Sequence, residues 1–301
     1  MENYEFRTPF EPMARGGQGY EAHYCFDEQM EVTQYHCHDY YELYIHLRGG
    51  EYMGVDNKLY LLKPNQVYIF PPFCMHGLSC TGEMKNYERA YLNLSPEVLG
   101  SLGCGQLDLN QFLQARASGG HHTYQLSDVD ADRFVLCIRQ IESAQYLEND
   151  AVDRFRIFTQ MMMLLNLLCQ VIRRTVPVKD EPGSSSAVQE VLTYITNHYT
   201  QPLKISDLSR RFGVSESYLS HEFARFTNRS VYDYILYRRI TLSRQLMLGT
   251  DTLNAISYKC GFNDYSNFLR SFSRVVGMTP NQYRKQLSRF SNKELKNAFP
   301  L

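Results

Sequence analysis

Two groups of side chains in this 301-residue sequence have the types and spacing to do chemistry. The first is rich in imidazole: His36, His38, Glu42, Tyr44 and His46 all fall on even positions, and His76 follows downstream. A period of two puts the even set on one face of a strand. Imidazoles and a carboxylate on one face can ligate a transition metal or hydrogen-bond a small molecule. The second group lies between Gly261 and Arg284. In a helix opened by Asp264 and buried through Phe268, residues Phe272 and Val275 share the inner face, whereas Ser266, Leu269, Arg270 and Ser273 point outwards. An outward arginine among small side chains can grip a guanine edge bidentately, or pair with a neighbouring carboxylate.

The histidine set needs strands to hold it. From about residue 20 to 94 short alternating runs are broken by turn residues, among them Gly49-Gly50, Asp56-Asn57-Lys58, Pro64-Asn65 and Pro71-Pro72, which predicts antiparallel hairpins in a small barrel or sandwich. In the run 40–47 the odd positions Tyr41, Leu43, Ile45 and Leu47 form the apolar face. The spacing from His36 through His38, Glu42 and Gly49, followed by Pro71 and His76, resembles the two motifs of cupin barrels. Asn65 and Phe73 stand where the second cupin motif has glycine. By that resemblance His36, His38, Glu42 and His76 would hold one metal ion in metal cupins. Three readings stand for the set: polar residues satisfied within the fold, small-molecule hydrogen bonding, or a metal site. The aromatic side chains beside it suit a polar ring such as a sugar.

Apolar periodicity predicts an amphipathic helix over 127–146, with Phe134, Ile138, Ile141 and Tyr146 on one side, and a second over 153–174 whose centre is apolar nearly all round. Burial on more than one side could come from the protomer alone or from pairing with a second copy. The stretch Pro177 to Ser186 breaks any helix and reads as a linker between halves that move independently.

After the linker one pattern occurs twice: Ile205 and Leu208, a turn at Gly213, then Leu219 and Phe223; and Leu253 and Ile256, a turn at Gly261, then Phe268 and Phe272. Ser217, Ser220 and His221 lie on the outer face of the first copy. A capping-box start at Ser230 opens a long helix between the copies, carrying Val231, Ile235, Leu242 and Leu246 and ending at Gly249. Gly261, Phe262, Asp264, Ser266, Phe268, Arg270 and Phe272, then Gly277, Thr279, Pro280, Tyr283 and Arg284, resemble the carboxy-terminal signature of AraC/XylS-type transcriptional regulators. The match extends upstream to about residue 188. Ser243 and Ser257 stand where that family has alanine, and Asn228 where it has glycine. The resemblance implies two helix-turn-helix units on one spacer helix, meeting successive major grooves about 34 Å apart.

Charge agrees with that division. Residues 184–301 carry 16 Lys+Arg against 8 Asp+Glu, and residues 1–183 carry 15 against 24. Phosphate neutralisation falls to Arg225, Arg229, Arg274 and Lys259, base reading to Ser217, Ser220, His221, Ser266, Leu269 and Arg270; Asp264 caps its helix, with Arg239 as its partner. Eight cysteines without framework spacing predict reduced thiols. No signal region opens the chain, and the apolar run at 161–172 is too short to span a bilayer, so a cytoplasmic protein without membrane contact is expected.

The sequence is thus read as multidomain: an all-β cupin-like barrel (1–125), a helical dimerisation segment (126–176), a linker (177–186), an all-α double helix-turn-helix DNA-binding domain (187–290) and a tail (291–301). The expected function is a sequence-specific transcriptional regulator of promoter DNA, homodimeric, controlled by a small-molecule effector such as a carbohydrate at His36, His38, Glu42, Tyr44, His46 and His76. RNA polymerase is a partner if it activates, and no cofactor is expected. The alternative is a metal-dependent cupin enzyme fused to a DNA-binding tail.

Overall fold

The computed structural model describes residues 19–30, 35–56, 58–79, 84–118, 120–145, 151–174, 187–227 and 229–287. The linker, the tail, Tyr146 and Asn228 lie outside them.

Among the described residues, eight strands build two antiparallel sheets. β1 (Tyr20–Met30), β2 (Tyr41–Arg48), β5 (Gln66–Phe70), β7 (Met84–Leu94) and β8 (Thr123–Gln125) form one, in the order β1-β7-β2-β5-β8. β3 (Tyr52–Val55), β4 (Lys58–Leu61) and β6 (His76–Ser79) form the other, in the order β4-β3-β6. Alternation in β2 splits its side chains between two cores. Tyr41, Leu43 and Ile45 face outwards to helices, whereas Tyr44 faces inwards with Tyr68, Phe70 and Tyr87 to meet Met53, Val55, Tyr60 and Leu78 of the smaller sheet. Asn65 and Phe73 keep the left-handed backbone of the glycines they replace, at φ 64° and 66°. The turn geometry survives without the usual residue.

Short helices α1 (Pro96–Leu102) and α2 (Leu109–Ser118) lead to α3 (Asp128–Gln145) and α4 (Ala151–Arg174). α3 buries Phe134, Cys137, Ile138 and Ile141, and α4 buries Ile157, Met161, Leu164, Leu165 and Leu168, all in one core with the outer face of the large sheet. α4 is long and apolar enough, by length and composition, to cross a membrane, which corrects the expectation of too short a run. Its inner face packs as the core helix of a globular unit does. Phe155, 70% exposed, and Met163, 56% exposed, lie on the opposite face.

The second half is helical: α5 (Ala187–His198), α6 (Ile205–Phe212), α7 (Glu216–Thr227), α8 (Val231–Leu246), α9 (Leu253–Lys259) and α10 (Tyr265–Val276). Ser230 caps α8 by accepting from Asp233 N at 3.1 Å. The helix ends at Leu246 with Met247 as its cap, not at Gly249. Leu242 and Leu246 are only partly buried, while Tyr234, Tyr237 and Ile240 carry the packing. Ser243 and Ser257 are fully buried, and each hydroxyl donates to the carbonyl three residues back at 2.7 Å, so neither is left unsatisfied in place of alanine. Gly261 has φ 84°, and a Cβ there would lie 2.2 Å from Thr200 O, which restricts the position to glycine.

The halves are docked, contrary to the expectation of independent motion. Arg238 of α8 pairs with Asp56 at 2.8 Å, Arg229 Nε donates to Tyr35 O at 2.7 Å, and Cys37 N donates to the Tyr237 hydroxyl at 3.1 Å. Contacts two hundred residues apart in sequence leave no local pattern to read.

Candidate functional site

Each helix-turn-helix unit presents one helix. In α7, Leu219 and Phe223 are buried while Ser217, Ser220, His221 and Arg225 are exposed. The exposed Tyr218, missed by the sequence reading, adds an aromatic to the same helix. In α10, Phe268, Phe272 and Val276 are buried; Ser266, Arg270 and Arg274 are exposed. Leu269 and Val275 are half-buried, so the inner face is rotated slightly from the expected one. Asp264 accepts from Asn267 N at 2.8 Å and caps its own helix.

Four of the expected charges have partners within the chain. Arg239 donates to Tyr199 O at 2.7 Å and Gln201 O at 2.8 Å and so ties α8 to the end of α5 instead of pairing with Asp264. Arg229 is turned into the junction between the halves, stacked over Tyr237. Lys259 pairs with Asp251 at 2.6 Å, and Arg225 with Glu222 at 2.7 Å. Arg270 and Arg274 stay exposed on α10.

In the barrel, His36, His38 and His76 lie together, with their ligand atoms within 4.8 Å of one another, and Glu42 joins them. His36 and His76 exchange both backbone hydrogen bonds at 2.9 Å. His38 Nδ1 is 2.9 Å from Tyr40 O, and His76 Nδ1 is 3.0 Å from Cys74 O. Carbonyls only accept, so both Nδ1 atoms carry hydrogen. The Nε2 atoms then turn towards Glu42 Oε2 at 2.9 and 3.3 Å. Burial opposes ionisation of Glu42, but the two imidazoles outweigh it and hold the carboxyl well below the usual range. Burial pushes His38 down despite that carboxylate. Acceptors therefore converge on one point, which asks for a proton, a cation or a ligand's hydroxyls.

Tyr44 and His46 lie elsewhere in the barrel. The Tyr44 hydroxyl hydrogen-bonds that of Tyr87, and the His46 ring sits 5.8 Å from the Tyr87 ring with burial pushing its pKa down to about 4. The six expected side chains thus divide into two groups.

The segment 35–39 serves both halves by alternation. Its even residues His36 and His38 face the cluster. Its odd residues meet the helical half: Tyr35 N donates to Thr227 O at 3.3 Å, Cys37 bonds Tyr237, and Asp39 lies 3.7 Å from the buried Arg244. The Tyr35 ring lies over Gly54, where any Cβ would collide with its hydroxyl.

Comparison with known proteins follows this division. A profile of the AraC-like ligand binding domain matches residues 19–165, and one of a helix-turn-helix domain matches residues 208–286. The chain belongs to the AraC/XylS family of transcriptional regulators. Among AraC-family relatives, the uncharacterized regulator YdiP of Escherichia coli is 31% identical over 115 residues, which span 38% of each chain. The melibiose operon regulatory protein of Escherichia coli is 24% identical over 255 residues, covering 83% of each chain. Apo ToxT from Vibrio cholerae covers 89% of this chain and 98% of its own, with 14% identity and a TM-score of 0.39. An AraC-type DNA-binding domain joined to a ligand-binding domain makes this a DNA-binding regulator and not the fused cupin enzyme.

Proposed function

We propose that the barrel binds a polyhydroxylated small molecule, in the simplest case a carbohydrate, at His36, His38, Glu42 and His76, and that occupancy resets the docking of the DNA-binding half. The observation that carries this is the alternation in 35–39: a ligand that moves His36 or His38 moves Tyr35, Cys37 and Asp39 against α8. Two imidazole lone pairs and a carboxylate match the donor hydroxyls of a polyol. The name of the melibiose operon relative agrees with a sugar. Tyr44 and His46 would act from the barrel interior.

The DNA-binding half acts in the cytoplasm on duplex promoter DNA, through Ser217, Ser220, His221 and Arg225 of α7 and Ser266, Leu269, Arg270 and Arg274 of α10. A homodimer would form through the exposed side of α4, and RNA polymerase is the further partner where transcription is activated.

The test is a thermal melt of the full chain across sugars, polyols and divalent metals. A specific ligand raises the melting point by mass action, about 2.7 kcal/mol at a hundred times its Kd, and His38→Gln should abolish the shift. A response to no sugar or polyol would reject this effector class. A second reading has the same acceptor geometry behind it: a divalent cation between both Nε2 atoms and Glu42. A metal response lost in both His38→Gln and Glu42→Gln would select it.

A further inference from the structure

We propose that Asp56, Cys74 and His122 form a second site in the barrel wall, for a soft divalent cation of the zinc class. They come from three separate pieces of chain: the turn between β3 and β4, the segment between β5 and β6, and the approach to β8. Their ligand atoms all lie within 4.8 Å of one another. Cys74 Sγ is 3.8 Å from Asp56 Oδ2. Zinc bonds of about 2.3 Å to sulfur and about 2.0–2.2 Å to oxygen place two tetrahedral donors roughly 3.5 Å apart, so little closure is needed.

The imidazole is already oriented. His122 Nδ1 lies 3.3 Å from Ile69 O and must donate to it, which leaves the Nε2 lone pair for the cation. Holding one ring nitrogen on a carbonyl is the usual way a ligating histidine is fixed. A thiolate, an imidazole and a carboxylate suit zinc or cobalt and do not suit magnesium or calcium, which take oxygen alone. Three protein donors leave a fourth place for water. The site is distinct from the His36, His38, Glu42 and His76 cluster, which has no sulfur, and it does not depend on the effector reading.

Its position gives it a consequence. Asp56 Oδ1 accepts from Arg238 Nη1 at 2.8 Å while Oδ2 faces Cys74, so one carboxylate joins the site to the spacer helix. Binding adds two positive charges and releases the thiol proton to water, leaving the surroundings of Arg238 about one unit more positive. The cation therefore weakens the docking of α8.

The experiment uses the full chain, reduced and stripped of metal, titrated with Co²⁺ and then Zn²⁺. The expected result is a thiolate-to-cobalt charge-transfer band in the near ultraviolet with the strong visible absorption of a four-coordinate ion, both abolished by Zn²⁺. Cys74→Ser should remove the band, and His122→Gln should weaken binding at least about tenfold. Glu42→Gln should leave the thiolate band unchanged, because the other cluster has no sulfur. His122→Gln keeps every thiol, so it tests the site even where Cys74→Ser does not fold. Absence of the band in the parent protein, its survival in Cys74→Ser, or full affinity in His122→Gln would overturn the assignment.

Discussion

Arg238 Nη1 lies 2.8 Å from Asp56 Oδ1, so a charge on the spacer helix closes on a turn of the barrel. Arg238 is largely buried, while the Asp56 side chain is about one-third exposed. Breaking a buried pair costs about 3–5 kcal/mol, and the exposure of Asp56 lowers that to about 1–3 kcal/mol. Arg238→Ala should therefore destabilise the chain by that amount in urea and speed proteolysis between the halves. Unchanged proteolysis would mean that the pair does not hold the docking.

Phe272 is fully buried among Phe268, Ile256 and Tyr283. Phe272→Ala removes an aromatic ring from this small core and should cost about 3–5 kcal/mol in denaturant unfolding. A variant of parental stability would contradict the inward face of α10.

Arg270 is exposed on α10, on the side away from Phe268 and Phe272. Arg270→Ala should weaken specific DNA binding by about 1–3 kcal/mol while changing non-specific binding less. Band-shift titrations on a cognate and a scrambled duplex, repeated over a salt series, measure both. Equal losses on the two duplexes would make it a phosphate contact.

His46 sets a pH dependence. Burial lowers its pKa to about 4 in the folded chain against 6.5 as the ordinary value. The unfolded chain takes up the proton first, so stability falls as pH drops from about 7 to about 4 and levels off below, by about 3 kcal/mol from this group. His46→Asn should lose less stability than the parent between pH 7 and pH 4.5, read by urea melts at both. An identical loss in the two proteins would remove His46 from the acid response.

Phe155 and Met163 stand exposed on one side of α4. If that face pairs two copies, Phe155→Glu with Met163→Glu should turn a dimer into a monomer in sedimentation without changing the melt of the barrel. Retention of the dimer would place the contact elsewhere.

Periodicity carried much of the fold. A period of two separated Tyr41, Leu43 and Ile45 from the inward face of β2, and a period near 3.6 placed Phe134, Ile138, Phe268 and Phe272 inside, because both patterns are properties of neighbouring residues. The cupin-like spacing likewise predicted that His36, His38, Glu42 and His76 would meet. Helix ends were less legible: α8 stops at Leu246 with Met247 at its C-cap, short of Gly249.

The sequence by itself determined the two kinds of domain, the duplicated helix-turn-helix and the shared face of the histidines, since each is written in residues close together along the chain. Only the tertiary structure decided that Arg229 and Arg238 serve the junction, that Asp56, Cys74 and His122 converge, and that 35–39 faces two ways. The physical reason is range: a helix or a strand is set by local periodicity, whereas the partner of a charge or a lone pair is set by which distant surfaces pack together.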